Sequence, residues 1–359
     1  LLVVACGSEP EAMNEPIRIA GGVISGVLSE GVRTFKGIPY AAPPIGPLRW
    51  QPPQTVVPWA DVRDGSAYGA ECPQTPYPET SVYQRPLQPQ SEDCLFLNVW
   101  TPASSDADRL PVLVWIHGGA LTRGSSTSDV RTGIPIARKG IVLVSLNYRL
   151  GALGFLAHPE LSAESPQGAS GNYGLLDQMA ALQWVQQHIA AFGGDPARVT
   201  IAGESAGSWS VNALMASPLA KGLFVGAIGQ SGGRFGPGVF LKDRRQGLTS
   251  AEEAGVEFGR AVLGGTPDQA LWALRSTPVD ALLRPRLRVQ ETVDGWVLPN
   301  DIRTLFLEQR FNNVPVIVGS TADEATSLVG PDYVPASVDA FEQRVDADYG
   351  IAAASFADA

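Results

Sequence analysis

A serine set between two glycines, Gly203-Glu204-Ser205-Ala206-Gly207, draws its chemical interest from what flanks it. Before it, Val199-Thr200-Ile201 is a short β-branched run of the kind that forms a buried strand. After it, a helical pattern starts at Ala206 and runs through Val211, Leu214 and Met215 to Ser217, where Pro218 stops it. A strand, a sharp turn and a helix with serine at the apex lift the hydroxyl out of the sheet and aim it at a pocket. The glycines suit that turn, because strand and helix backbones pass so close that a Cβ at Gly203 or Gly207 would clash. The helix N-terminus also offers N–H groups to a developing oxyanion. A second match, Gly229-Gln230-Ser231-Gly232-Gly233, is followed by Arg234-Phe235-Gly236-Pro237-Gly238, which cannot start a helix. Context therefore selects Ser205 over Ser231 as the nucleophile.

A serine hydroxyl needs a base, and imidazole is the usual one. The chain has three histidines. His117 belongs to a His-Gly-Gly loop, His158 precedes a proline and His188 falls in a helical stretch. All three read as structural. No cluster of ligand residues has metal-binding spacing, so no metal or organic cofactor is expected.

With 359 residues, 44% of them apolar, the chain can bury a large core, and its 29 prolines and 39 glycines imply many long loops. A net charge of −10 leaves no basic footprint for nucleic acid. There is neither an internal repeat nor an apolar run long enough to span a membrane. Leu1-Leu-Val-Val-Ala-Cys6 reads as the end of a signal peptide with a lipoprotein-like cleavage box, Cys6 being the lipidated residue and Gly7-Ser-Glu-Pro-Glu a tether. A plain secretory leader or a chance apolar start are the alternatives. Setting Cys6 aside leaves an even pair, Cys72 and Cys94, which suits an oxidising compartment outside the cytoplasm.

The elements that must position Ser205 follow in order. Pro16 to Leu28 alternates around Gly21-Gly22 as a hairpin. The proline-rich stretch Phe35 to Trp50 reads as a rigid surface loop. Ser91 to Trp100 ends in a strand, and Pro111–Ile116 and Ile141–Leu146 are continuous apolar runs fit for a parallel sheet. Apolar residues 175, 179, 182, 185, 189 and 192 line one helix face. Asp195-Pro196 is a turn, and Phe224–Ile228 and Val314–Val318 are further strands. Strands alternating with helices predict a mostly parallel central sheet with helices on both faces.

Taken together, these residues resemble the type-B carboxylesterase and cholinesterase family of α/β-hydrolases. The likeness rests on Phe35-Lys-Gly-Ile-Pro-Tyr40, Ser91-Glu-Asp-Cys-Leu-Phe-Leu-Asn98, His117-Gly-Gly119, Asn147-Tyr-Arg-Leu-Gly151, Gly193-Gly-Asp-Pro196 and Gly203-Glu-Ser-Ala-Gly207. It runs from about Ile17 to Glu324. It implies a Cys72–Cys94 disulfide and two ion pairs, Arg49 with Glu92 and Arg149 with Asp177. It implies an oxyanion loop at Gly118-Gly119-Ala120, with N–H groups of Gly119, Ala120 and Ala206 holding the tetrahedral oxygen. Glu324 matches the catalytic acid, with Asp323 as the weaker neighbour, and Ser231 matches a serine that supports this acid. Two glycines of the family pattern are replaced, by Ala120 and Ala325. No tryptophan lies between Cys72 and Cys94 to hold a quaternary ammonium, so choline esters are disfavoured.

Family order places the histidine after the acid, and residues 325–359 contain none. The expectation is an α/β-hydrolase domain over 16–359, incomplete at its C-terminus, behind a leader and tether at 1–15. Its base lies outside these residues, which alone would be inactive. The expected function is hydrolysis of small to medium carboxylic esters through a serine acyl-enzyme, in an exported, periplasmic or cell-surface protein. A catalytically silent binding member of the fold, or a hydrolase of amides, carbamates or thioesters, are the rival readings.

Overall fold

Apolar runs that read as strands become the inner strands of one large sheet. The computed structural model describes residues 15–81, 83–127, 132–265, 270–324 and 337–349, with side chains in the last segment to residue 344. Cys6, with the rest of the expected leader and tether up to residue 14, and Ala325 lie outside the described residues. The first elements are β1 (Ile17–Ile19), β2 (Gly22–Ser25), β3 (Val27–Ser29), β4 (Val32–Pro39), β5 (Val62–Asp64), β6 (Phe96–Thr101) and β7 (Leu110–Ile116). Then come α1 (Ile134–Ala137), β8 (Val142–Leu146), α2 (Gly151–Phe155), α3 (Pro159–Glu164), α4 (Tyr173–His188), β9 (Gly194–Glu204), α5 (Ala206–Ala216) and β10 (Gly226–Gln230). The rest are β11 (Val239–Phe240), α6 (Ala251–Leu263), α7 (Ala270–Ser276), α8 (Val279–Leu282), β12 (Thr292–Val293), α9 (Ile302–Leu307), β13 (Val316–Gly319) and α10 (Val338–Tyr349).

The sheet has eight strands in the order β13-β10-β9-β7-β8-β6-β4-β3. Neighbours from β13 to β8 pair in parallel, and those from β8 to β3 are antiparallel. The antiparallel part grows from hairpins. β3 turns into β4 over Glu30 and Gly31, both with positive φ (52° and 73°), the turn that matches the twist of a β-ribbon. The expected hairpin around Gly21-Gly22 is β1–β2.

Strand alternation sorts side chains into two cores. Val112, Val114, Ile116, Val142, Val144, Val199 and Ile201 pack with α4 and α5 through Leu182, Val185, Val211 and Leu214. Their in-between neighbours Leu113, Trp115 and Leu143 face the other way, against Ile134, Ile136 and Ala137 of α1. Helices therefore cover both faces, and each fully buried aliphatic side chain contributes about 1.5–3 kcal/mol.

Two local expectations are corrected. Phe35–Pro39 is not loop but the end of β4, paired with β6; its proline takes the last position, where a missing donor is harmless. Asp195-Pro196 does not separate elements but lies inside β9. There the pairing with β7 shifts register between Leu110 and Val112, and Asp195 Oδ1 accepts the Ala197 N–H at 3.0 Å. A bulge absorbs the proline.

The implied covalent and ionic ties are present. Cys72 and Cys94 are joined by a disulfide, its Cα atoms 5.0 Å apart. On chain-entropy grounds a loop of this size is worth about 3 kcal/mol. Arg149 meets Asp177 in a buried bidentate pair, 2.8 Å from Nε and 2.7 Å from Nη2. Desolvation pulls the Arg149 pKa down, but the charge and hydrogen bonds of Asp177, joined by Tyr40 and Tyr173, together outweigh it and hold the guanidinium above its usual value. Arg49 grips Glu92 at 2.7 and 2.6 Å and also donates to the carbonyls of Leu274, Arg275 and Thr277. Those carbonyls lie at or just beyond the end of α7, where helix acceptors lack intrahelical partners. Among the described residues, no helix is long and apolar enough to cross a membrane.

Candidate active site

β9 ends at Glu204 and α5 begins at Ala206, leaving Ser205 alone at the apex with φ 54° and ψ −119°. A serine in that region of backbone space stores about 1–3 kcal/mol of strain, which the surroundings must hold. The Ser205 N–H donates to Gln230 O at 2.9 Å, and Ser205 O accepts from Trp209 N–H at 3.1 Å. The glycines act as expected. A Cβ at Gly203 would meet the Gly207 carbonyl carbon at 2.4 Å, and one at Gly207 would meet Ile116 O at 2.1 Å. Strand, helix and neighbouring strand are thus in backbone contact at the elbow.

The loop after β7 lies against Ser205. A Cβ at Gly118 would sit 3.2 Å from Ser205 Cβ and 2.7 Å from Glu204 O, so only glycine brings this backbone alongside the serine. Gly119 follows with φ 105°, and Ala120 and Leu121 with φ 56° and 59°. Ala120 therefore adopts the left-handed conformation that glycine takes freely, at a cost of about 1–2 kcal/mol. The loop closes on itself, with Thr122 and Arg123 N–H groups donating to Gly119 O, both at 3.0 Å. His117 braces its start. Its ring stacks on Tyr148 with centroids 4.4 Å apart, and Tyr148 Oη donates to His117 O at 3.0 Å.

Register aligns the remaining candidates. Ile116 pairs with Gly203, Gly203 with Gly229, and Gly229 with Val318, so the loops after β7, β9, β10 and β13 leave the same edge of the sheet. That edge is the carboxyl end of the parallel strands, where open α/β sheets bind ligands. Ser231 has φ 49° and its N–H donates to Gly319 O at 2.8 Å, tying β10 to β13. Glu324 sits in the exposed turn after β13. Its Oε2 accepts from the Thr321 N–H at 2.9 Å and Oγ1 at 3.1 Å.

The other histidines lie elsewhere. His158 caps α3, its Nδ1 accepting the Glu160 N–H at 3.2 Å. His188 ends α4, edge-on to Trp184. Burial lowers the pKa of both; for His158 the charges of Glu160 and Glu252 oppose the shift without cancelling it. A histidine with a depressed folded pKa binds protons less readily folded than unfolded. Its neutral form supports the fold above about pH 6.5, and that support is lost as pH falls below it. His158→Asn keeps a side-chain oxygen at the cap but cannot titrate. The melting temperature of the variant should drop less between pH 7.5 and 5 than that of the parent. Equal drops would remove His158 from the acid response.

Sequence reading missed two polar groups at the site. Ser208 Oγ donates to Gly232 O at 2.5 Å, joining α5 to the Ser231 turn. Gln74 reaches Gly124, at the far end of the loop after β7. The only local signal for Ser208 is a polar pair at helical spacing, Ser208 and Asn212, on an otherwise mostly apolar helix. Among the described residues, no group of three or more His, Cys, Asp or Glu side chains could hold a metal ion.

A serine on a strained strand–turn–helix at the carboxyl edge of a parallel sheet, beside a glycine loop from the adjacent strand, defines the α/β-hydrolase class. Within it the relatives are specific. A family profile described as "Carboxylesterase family" matches residues 14–351. Fumonisin B1 esterase of Sphingopyxis macrogoltabida is 40% identical over 307 residues, covering 86% of this chain and 56% of that protein. Para-nitrobenzyl esterase of Bacillus subtilis (strain 168) is 38% identical over 325 residues, covering 87% and 63%. A solved PNB esterase structure superposes with a TM-score of 0.77 at 35% identity, covering 93% of this chain and 69% of that one. The chain belongs to the carboxylesterase family. It spans 56% and 63% of the length of these two curated relatives.

Proposed function

We propose that this chain carries the nucleophile and oxyanion loop of a carboxylic ester hydrolase that works through a serine acyl-enzyme. The observation that carries the reading is that Gly118 stands so near Ser205, at a strained elbow, that an added Cβ there would lie 3.2 Å from Ser205 Cβ. Ser205 Oγ attacks the ester carbonyl, and the N–H groups of Gly119, Ala120 and Ala206 take the charge on the tetrahedral oxygen. The alcohol leaves, and water releases the acid. Glu324 orients an imidazole that is none of His117, His158 and His188, and Ser231 supports that acid. The chemistry needs no cofactor, and the substrates are small to medium esters. Stoichiometric labelling of Ser205 in the full-length protein by a fluorophosphonate, with turnover of p-nitrophenyl esters, is the expected result. A full-length protein that neither labels nor turns over would be a silent member of the family.

The same proposal places the protein outside the cytoplasm, lipid-anchored through Cys6. The leader-like residues before Cys6 and the Cys72–Cys94 disulfide support it. Incorporation of labelled palmitate in a bacterial host, removed by Cys6→Ser, is expected; labelling that persists in the variant would refute the anchor.

A further inference from the structure

The mechanism above gives no task to the segment closed by the disulfide, yet its first residues, Gln74 and Thr75, are bonded to the loop after β7. Gln74, 4% exposed, lies two residues after Cys72. Its Oε1 accepts the Gly124 N–H at 2.9 Å, while its Nε2 donates to Gly124 O at 2.8 Å and to Cys72 O at 3.1 Å. One carboxamide thus satisfies both polar groups of one peptide residue and fastens it to the disulfide. Its own backbone N–H donates to Gln90 Oε1 at 2.9 Å, bracing it across the same covalent loop.

Gly124 is where the loop returns against its own start. It has φ 101°, and a Cβ there would meet His117 Nδ1 at 2.4 Å and Gly118 O at 2.5 Å. The backbone that Gln74 holds is therefore packed on the first peptide of the oxyanion loop. Parallel ties flank it. Glu71, 1% exposed, accepts from Ser125 Oγ at 2.8 Å, Thr127 Oγ1 at 3.2 Å and Arg85 Nη1 at 2.9 Å. Arg123 donates to Thr75 O at 3.1 Å and lies over the Tyr77 ring.

We propose that Gln74 is a positioning residue for the oxyanion hole: by clamping both sides of Gly124 it sets where the Gly118–Ala120 backbone stands relative to Ser205. The physical need is plain. Ala120 and Leu121 are both left-handed, so the loop is strained and would relax if its return were released. Donors must point at the oxyanion and not at the ground-state carbonyl, and a displacement of about 1 Å can cost about a hundredfold in rate. The proposal rests on the reading of Gly119 and Ala120 as oxyanion donors.

Gln74→Met in the full-length protein keeps the side-chain volume and removes all three bonds. Per serine titrated with a fluorophosphonate, kcat on a p-nitrophenyl ester is expected to fall about 10- to 100-fold, with KM changed less than about threefold. Affinity for a trifluoromethyl ketone, whose serine adduct places an oxyanion in the same hole, should fall by a similar factor. Affinity for a non-electrophilic analogue should not. Gln74→Glu retains the acceptor for the Gly124 N–H and should lie between parent and Gln74→Met; if the methionine variant does not fold, the glutamate variant decides. A lower melting temperature with unchanged kcat per titrated serine and unchanged ketone affinity would overturn the proposal, making Gln74 a stabilising residue only. Ser205→Ala runs alongside. If that variant stays active, the ester-hydrolase reading and this proposal both fall; if it is dead while the Gln74 variants are unaffected, only this proposal does.

Discussion

Ser205→Ala is expected to lower ester turnover by about 10⁴–10⁶-fold in the full-length protein while leaving the fold intact. Alanine keeps the Cβ, so a backbone already held at φ 54° meets no new contact, and the bonds from Ser205 N–H to Gln230 and from Trp209 N–H to residue 205 are main-chain. Only the attacking oxygen is removed. The measurement is kcat/KM on p-nitrophenyl acetate, with melting temperature as the control. Turnover near the parent rate would place the nucleophile elsewhere. Ser231→Ala is the comparison. Its N–H bond to Gly319 O survives the change, so only a modest loss in kcat should follow.

Gly207→Ala should have the largest effect on stability. The new methyl would lie 2.1 Å from Ile116 O, 3.0 Å from Ile116 C and 3.1 Å from His117 C. Those atoms end the central strand β7 and start the loop that lies beside Ser205, so they cannot yield as a flexible side chain would. Alanine gains at most about 1 kcal/mol of helix propensity over glycine. A backbone clash of this depth belongs with the losses above about 4 kcal/mol. Insoluble or unfolded protein is expected, or, where some folds, protein whose turnover has fallen with the displaced loop. Gly236→Ala is the control: nothing lies within 4 Å of its added Cβ and the position is exposed, so denaturant midpoints should agree closely with the parent. A Gly207→Ala protein as stable as that control would mean that α5 and β7 are not in backbone contact.

Much of the site could be read along the chain because its signals are local. A β-branched run, two glycines and a helix stopped by proline specify the Ser205 elbow within about twenty residues. The apolar positions from Leu175 to Phe192 mark the face of α4 and the short 3₁₀ turn after it that enters the core. The same local logic separates Ser205 from Ser231, since no helix follows the second match. It fails where pairing overrides composition. Pro39 and Pro196 look like breakers, yet one ends a strand and the other sits in a bulge, because a sheet tolerates a missing N–H wherever the ladder does not call on it.

What the sequence by itself determined is the identity of the elbow, the periodicity of strands and helices and, through resemblance, the disulfide, the two ion pairs and the candidate oxyanion and acid residues. Only the tertiary structure decided what these groups touch. Gly118 approaches Ser205 because β7 and β9 pair in parallel with Ile116 opposite Gly203. Gln74 meets Gly124 across 50 residues of chain through a buried carboxamide whose three partners are all backbone groups. Such contacts leave no periodic trace, because a backbone N–H or carbonyl is the same at every non-proline residue. Their location is set by how the sheet brings its loops to one edge.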